Sequence, residues 1–326
     1  MFRFRDRVLA HLETWRPFIS LNAGLTAIAG AALQLGSLPS PGQATVIFAV
    51  PVIGYLGALY GTDFKDRAAD RETRPQRPIP SGRIGEDEAI IWMSLCMGIG
   101  FLGASWLGFP AVVMTCVALG VGVLRAVAKS SGLLAPFFRS FGTAANLLFG
   151  AVAIDATISP AVWLIALVFF ADTFPKSVVG SLWDLEADRA TGVRTPWVVY
   201  GVPRVRVMVF AALLALLALV VSVPFLIDIR SGPYYGFLVV FTGMVGMAAW
   251  RLTQVIRRPE AALSALNWLL RDRSILAGAV LAGVAGPVTA VLIVLPVVLL
   301  AEWSRVALMA GRMYRLEMPA MAVSGG

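Results

Sequence analysis

The sequence predicts an all-α integral membrane protein with about nine transmembrane helices. Of its 326 residues, 58% are hydrophobic and 14% are charged, against roughly 25% charged residues in an ordinary soluble domain. The mean hydropathy is +0.80, and the apolar runs approach the ~20 residues that a helix needs to cross a bilayer. This composition excludes a soluble two-domain enzyme and a disordered chain. Two cysteines and one histidine also argue against a disulfide scaffold or a cysteine- or histidine-rich metal cluster.

Nine apolar segments are predicted to span the bilayer, as parts of a single transmembrane domain over residues 1–326. They lie near residues 18–38, 43–62, 88–107, 109–128, 138–156, 159–183, 206–227, 234–251 and 275–301. The stretch 252–274 mixes leucines with charged residues, which predicts an interfacial helix.

The basic residues predict the orientation of the chain. The net charge is +8, and 23 of the 27 lysines and arginines lie in the N-terminus or around the connections after spans two, four, six and eight. The positive-inside rule places these regions in the cytoplasm. A nucleic-acid-binding protein would instead carry its basic residues on one soluble face, so no nucleic-acid partner is predicted. The basic C-terminal tail fits less well, because nine spans would place it on the opposite side.

An acidic motif occurs twice along the chain. Residues 66–73 read DRAADRET, and residues 184–191 read DLEADRAT. Both copies lie at the cytoplasmic end of an even-numbered span. The sequence therefore predicts two parallel halves, about 18–128 and 138–251, followed by one further span. In that arrangement the two acidic clusters face each other on one side of the membrane.

The spacing of these acids indicates a cation site. Asp63, Asp66 and Asp70 share one helix face, and so do Asp184 and Asp188. Like charges at this spacing repel one another, and a bound Mg²⁺ that also contacts substrate phosphate oxygens would remove the conflict. A single acidic loop is often merely a solvated surface. The duplication instead favours a metal-bridged diphosphate site.

The motif and its flanks resemble the UbiA superfamily of intramembrane prenyltransferases. The run TDFKDRAAD followed by RPQRPIPSGRI is similar to the first family signature, and Asp184 with Asp188 matches the second. The resemblance implies that Mg²⁺ binds an isoprenyl diphosphate and that the prenyl group moves to a lipophilic acceptor, often an aromatic ring. The implied metal ligands are Thr62, Asp66, Asp70, Asp184 and Asp188, assisted by Asp63.

This chain departs from the family pattern at several positions. Thr62 replaces the usual Asn of the first motif, and Arg125 replaces a Tyr four residues before Lys129. Gly180–Ser181 replaces a Lys-Asp pair. These departures leave the donor and the acceptor open.

Basic and aromatic residues near the motifs are candidates for binding the substrate. A guanidinium suits phosphate because it binds bidentately, although each of these residues could instead set topology or contact lipid head groups. The basic candidates are Arg16, Arg74, Arg77, Lys129 and Arg189, with Arg125 and Lys176 behind them. Tyr60, Phe64 and Trp183 could stabilise an allylic cation through their ring faces.

Two ionisable residues lie inside the sixth predicted span. Asp172 and Lys176 are four residues apart, so they could orient an acceptor or simply neutralise each other. Asn146 in the fifth span is a further polar candidate for substrate binding.

Three other functions remain open from the sequence. A terpene cyclase or a phosphoribosyl transferase acting on a polyprenyl phosphate could use the same acidic site. A transporter built from parallel repeats would need acids near the bilayer midplane, where Asp172 alone is predicted to lie.

Overall fold

The computed structural model describes residues 4–182, 185–255 and 261–308, and within these ranges the chain is helical with no strands. The helices are α1 (Phe4–Trp15), α2 (Pro17–Leu35), α3 (Pro41–Thr73), α4 (Glu86–Leu107), α5 (Phe109–Val127), α6 (Leu134–Val152), α7 (Pro160–Gly180), α8 (Leu185–Thr191), α9 (Pro196–Tyr200), α10 (Val202–Leu226), α11 (Ser231–Gln254), α12 (Ala261–Ala285) and α13 (Pro287–Leu308), with a 3₁₀ turn at Ala128–Ser130. The predicted all-α membrane fold is confirmed.

The number of long helices exceeds the predicted nine spans. Among the described residues, eight helices are long and apolar enough to cross a membrane. Helices α6 and α12 are 19 and 25 residues long, but they carry internal charged residues that lower their hydropathy. The described chain therefore contains ten helices of 19 or more residues, and the count of nine is not confirmed.

The predicted last span, 275–301, is wrong. The chain turns at Gly286, where φ is +92°, and Pro287 begins a new helix. Glycine tolerates this left-handed conformation, and proline suits the first helical position. Helices α12 and α13 are therefore separate, and Ala301 near the end of α13 packs against Phe18 at the start of α2. The start of α2 and the end of α13 consequently lie at the same end of the bundle.

The predicted interfacial helix over 252–274 is also wrong. Residues 256–260 lie outside the described residues, and Ala261 begins α12. Leu269 and Asp272 are fully buried, because the first half of α12 packs against α11 and α2. The described charges of this stretch, Arg271, Asp272 and Arg273, have partners inside the protein, and so they do not mark a surface helix.

Helix α2 lies at the centre of the bundle and packs closely against α6. Every residue from Asn22 to Ala32 is buried. A Cβ added at Gly30 would overlap the carbonyl of Leu147, and one added at Gly150 would overlap the carbonyl of Ala27. Small residues allow such close backbone approach between membrane helices.

We expect Gly150→Ala to lower the thermal stability of the protein. The new methyl group would force α6 away from α2, and overpacking of this kind typically costs ~1–3 kcal/mol. The measurement is the melting temperature in detergent. Gly246→Ala in α11 is the matched control, because a Cβ there meets no atom within 4 Å and Ala favours helix. Equal melting temperatures for the two variants would contradict the close packing.

Helix α3 is longer than the membrane requires. Its 33 residues correspond to about 50 Å, whereas the hydrocarbon core is about 30 Å thick. Its last turns, which carry the first acidic motif, therefore extend beyond the apolar layer. The following segment folds back over this end, burying Ile79 and Ile84.

Candidate active site

Asp63, Asp66 and Asp70 of α3, called here the α3 acids, each pair with a cation from a different part of the chain. Arg16 Nη2 donates to both carboxylate oxygens of Asp63, at 2.9 and 3.1 Å. Lys129 Nζ lies 2.9 Å from Asp66 Oδ2, and Arg77 Nη1 lies 2.8 Å from Asp70 Oδ2. Asp63 and Asp70 are buried, whereas Asp66 retains 26% of its side-chain exposure. The structure thus brings four predicted groups, Arg16, Lys129, Arg77 and the α3 acids, to one end of the bundle.

Arg16 occupies a strained backbone position between α1 and α2. Its φ and ψ are 45° and 61°, and among the described residues it is the one non-glycine with a positive φ. Pro17 disfavours a right-handed helical conformation at the preceding residue. Strain of this kind persists where the surroundings enforce it and is frequent at functional sites. Here the sharp turn directs Arg16 towards Asp63.

A short connection after α5 links the two acidic motifs. Lys129, which pairs with Asp66, lies in the 3₁₀ turn. The N–H of Gly132 donates to the carbonyl of Arg194 at 2.8 Å, and the N–H of Arg194 donates to Ser130 Oγ at 3.1 Å. The segment after the second motif is therefore held beside the first motif.

The second motif is described in part. Asp184 and Trp183 lie outside the described residues. Asp188 lies in α8, where its carbonyl accepts a hydrogen bond from Val193. Arg189 is more than half exposed and lies 3.9 Å from Glu186 on the same helix. Within residues 4–182, 185–255 and 261–308, no three acidic, histidine or cysteine side chains are grouped closely enough to hold a metal.

The remaining predicted residues around the acids have varied positions. Arg74 is the C-cap residue of α3, and its backbone N–H donates to the carbonyl of Asp70. The hydroxyl of Thr62 donates to the carbonyl of Ala58 at 2.8 Å, which leaves its oxygen lone pairs as the groups that could contact a metal. Arg125 is exposed in the last turn of α5.

Tyr60 and Phe64 do not present free ring faces to a substrate. Tyr60 is fully buried, its hydroxyl lies 2.6 Å from His11 Nδ1, and Trp15 Nε1 donates to it at 2.8 Å. The guanidinium of Arg67 covers the Phe64 ring at 4.1 Å. Their contacts indicate that both rings attach α1 and the loop after α3 to the bundle, so a cation-stabilising role has no support here.

Asp172 and Lys176 form part of a buried charge cluster. Lys176 Nζ donates to both Asp172 oxygens at 2.6 Å and also to Asp272 of α12. Arg273 Nε lies 3.8 Å from Asp172, which makes the four charges formally neutral together. Asp172 and Asp272 are fully buried, and Lys176 is 3% exposed. This arrangement favours the self-neutralising alternative and adds Asp272, which the sequence analysis did not identify.

We expect Lys176→Met to destabilise the fold strongly. It would leave two buried carboxylates without their shared cation, and breaking a buried pair costs about 3–5 kcal/mol. Asp272→Asn is the control, because it preserves the pair between Lys176 and Asp172. Melting temperature and the KM for a prenyl diphosphate should be measured together. A raised KM at an unchanged melting temperature would instead indicate that the cluster contacts substrate.

Arg139 and Asn146 lie on the same face of α6, seven residues apart, and both are partly exposed. The neighbouring residues Thr143 to Ala145 and Leu147 to Ala151 are buried. Arg139 lies within electrostatic range of Arg125, Arg273 and Arg16. The sequence analysis missed Arg139, although a charge inside an apolar span is itself a signal of function.

An ion pair also missed from the sequence holds the loop after α3. Arg83 donates to both oxygens of Glu13, at 2.9 and 2.6 Å, and both side chains are nearly buried. Seventy residues separate the two, and no local pattern marks them as partners. The pair fixes α1 over the end of α3 that carries the acids.

The chain is similar to known membrane prenyltransferases. The model of the UbiA prenyltransferase family matches residues 23–271. The digeranylgeranylglyceryl phosphate synthase of Methanopyrus kandleri is 30% identical over 238 residues, covering 69% of this chain and 82% of that protein. The synthase of the same name from Pyrococcus furiosus is 27% identical over 284 residues, covering 85% and 99%.

Solved structures share the fold at lower identity. A solved digeranylgeranylglyceryl phosphate synthase superposes with a TM-score of 0.65 at 19% identity, over 86% of this chain and 99% of that one. A UbiA homologue from Archaeoglobus fulgidus bound to DMAPP and Mg²⁺ superposes with a TM-score of 0.60 at 14% identity, over 82% and 99%. At these identities the likeness concerns the fold alone.

Proposed function

Since the chain belongs to the UbiA prenyltransferase family, we propose that it transfers an isoprenyl group from a prenyl diphosphate to a lipophilic acceptor within the membrane. The observation that carries this proposal is the set of three α3 carboxylates, each paired with a cation from a different segment. Carboxylates and cations arranged in this way can receive a magnesium diphosphate by exchanging partners.

The donor atoms at this end of α3 fit a magnesium ion. Mg²⁺ prefers carboxylate oxygens, waters and substrate phosphate oxygens. We propose that Asp66, Asp70, Asp184 and Asp188 hold it, with Thr62 and Asp63 assisting. The UbiA homologue from Archaeoglobus fulgidus that was solved with bound DMAPP and Mg²⁺ supports the choice of metal and donor. When bound, Mg²⁺ would neutralise diphosphate charge and improve it as a leaving group.

The side chains that now neutralise the acids would contact the diphosphate. Arg16, Lys129 and Arg77 would donate hydrogen bonds to its oxygens, since charge-assisted contacts to phosphate are strong. These contacts would strengthen as negative charge grows on the departing oxygen. Arg74, Arg125 and Arg189 are proposed as further contacts at the same end. The prenyl chain would extend between the helices, away from this charged end.

The acceptor is proposed to be a phosphate-bearing lipid alcohol in preference to an aromatic ring. The relatives reported above are named as synthases of a glyceryl phosphate lipid. In this chain, Arg139 makes no side-chain hydrogen bond or ion pair with any described residue, whereas Arg273 already donates to Thr173 and lies 3.8 Å from Asp172. The guanidinium of Arg139 suits an anionic acceptor, whereas an aromatic ring would leave it unpaired. Asn146 could orient the acceptor from the same face.

We propose that the acidic end of the bundle faces the cytoplasm. The basic residues concentrate at this end, as the positive-inside rule requires. An even number of long helices brings Arg305 to the same end as Arg16, because Ala301 packs near Phe18. Arg312 and Arg315, which follow in the sequence, lie outside the described residues.

The proposed reaction can be tested with purified protein in detergent, Mg²⁺ and geranyl, farnesyl and geranylgeranyl diphosphates. Three acceptors should be compared: a glyceryl phosphate ether lipid, its unphosphorylated alcohol and an aromatic hydroxy acid. We expect diphosphate release that depends on the phosphorylated lipid. Arg139→Gln should raise the KM for that lipid by roughly tenfold, the effect of one charge-assisted contact, and leave the KM for the donor nearly unchanged.

Other outcomes would redirect the proposal. Release that depends on the aromatic acid would restore the aromatic acceptor. Release without any acceptor, together with a cyclic hydrocarbon or alcohol, would identify a cyclase. Absence of release with every donor would favour a sugar diphosphate as the donor.

A further inference from the structure

A cavity lies at the end of the bundle where α2 begins, between α2, α11, α12 and α13. It has a volume of about 290 Å³, and its lining includes Phe18 of α2, Met244 of α11, Ile275 of α12 and Val298 of α13. Further along, the helices converge: a Cβ at Gly278 would meet Phe237 of α11 and Val294 of α13. The cavity therefore forms where these helices diverge. Helix α13 lies outside the residues that the family model matches.

The polar lining of this cavity carries a net positive charge. Arg271 donates to both oxygens of Glu302, at 2.8 and 3.0 Å, and Arg305 also donates to Glu302. The Glu302 carboxylate thus accepts hydrogen bonds from two guanidinium groups. The three side chains together carry a net charge of +1, and the guanidinium groups keep unused N–H donors. Such a pair suits a phosphate group.

A buried amide oxygen in the lining needs a donor. Asn267 Oδ1 is buried and has no hydrogen-bond partner among the described residues. An unsatisfied buried acceptor is costly, and a ligand hydroxyl would satisfy it. The hydroxyl of the neighbouring Ser274 donates to Asn22 Oδ1 at 2.7 Å, so this hydroxyl does not serve Asn267 Oδ1.

Tryptophans place the cavity at the level of the lipid head groups. Trp268 lines the cavity, with the guanidinium of Arg271 5.4 Å from its ring centroid. Trp250 near the end of α11 and Trp303 near the end of α13 are 51% and 62% exposed. Tryptophan concentrates at the membrane–water interface. The remaining cavity walls are mostly apolar, as an acyl chain requires.

We infer that this cavity binds one anionic phospholipid whose head group carries a hydroxyl, of the phosphatidylglycerol class. Its phosphate would contact Arg271 and Arg305, its hydroxyl would donate to Asn267 Oδ1, and its acyl chain would lie against Ile275 and Val298. The inference does not depend on the proposed reaction, because this site shares no residue with the α3 acids.

Native mass spectrometry of delipidated protein can test this site. Equal amounts of phosphatidylglycerol and phosphatidylcholine should be added to wild type, Arg305→Gln and Arg230→Gln. We expect wild type to bind one phosphatidylglycerol in preference to phosphatidylcholine. In Arg305→Gln this preference should fall roughly tenfold. Arg230→Gln removes an exposed charge at the start of α11 and should bind as wild type does.

A second variant separates lipid binding from misfolding. Asn267→Leu should abolish the preference for phosphatidylglycerol over phosphatidic acid, which lacks the head-group hydroxyl, while phosphatidic acid still binds. No preference in wild type, or equal losses in Arg305→Gln and Arg230→Gln, would overturn the inference. Displacement of the lipid by soluble glycerophosphoglycerol alone would assign the site to a soluble phosphoester and overturn the lipid assignment.

Discussion

Asp66→Asn is expected to lower prenyl transfer by at least about a hundredfold, the scale of losing a group that orients or ligates a catalytic metal. The substitution removes a carboxylate ligand while preserving the shape of the side chain. We expect the same result from Asp184→Asn, because Asp184 begins the second motif. The measurement is diphosphate release with Mg²⁺, a prenyl diphosphate and the acceptor.

The fold should survive Asp66→Asn. Its partner Lys129 has 60% side-chain exposure, and exposed ion pairs contribute little to stability. Asp87→Asn is the matched control, because Asp87 lies in the exposed first turn of α4. Wild-type turnover by Asp66→Asn, or an equal loss in Asp87→Asn, would remove Asp66 from the proposed site.

Removal of divalent metal should abolish the same reaction. Without a cation, the diphosphate would meet the α3 carboxylates directly and would be repelled. Excess chelator should therefore reduce release to background, and added Mg²⁺ should restore it. The measurement is the rate of release against free Mg²⁺ concentration.

Chelation should leave the melting temperature nearly unchanged. Asp63, Asp66 and Asp70 already have cationic partners in Arg16, Lys129 and Arg77, so the charges of these three aspartates stay compensated without the metal. Full activity in chelator would exclude a metal at this site. A large fall in melting temperature would show that the ion pairs do not replace the metal.

Local sequence features were sufficient for the fold class and for the first acidic motif. Apolar runs of bilayer length can be satisfied in lipid by helices, because a helix bonds its own backbone groups. The spacing of Asp63, Asp66 and Asp70 places them on one helix face whatever else surrounds them. The duplicated motif and its resemblance to a family then indicated the chemistry.

Hydropathy alone could not predict the turn between α12 and α13. The apolar run from Ile275 continues through Gly286 without a polar interruption, so composition alone predicts one span. The break depends on a glycine at positive φ followed by proline, a signal that apolar membrane helices often tolerate. Packing of α12 on α11 and of α13 on α2 stabilises the two separate helices and so the turn between them.

The sequence by itself predicted the membrane class, the approximate bounds of the long helices from α2 to α11 and the acids proposed to bind a metal, because these depend on residues close together in the chain. Tertiary structure decided which charges meet. Arg16 reaches Asp63 across 47 residues, and Lys176 reaches Asp272 across 96. It also buried Tyr60 against His11 and Trp15. Buried charges and hydroxyls must find partners, and in a helical bundle those partners come from helices that only folding brings together.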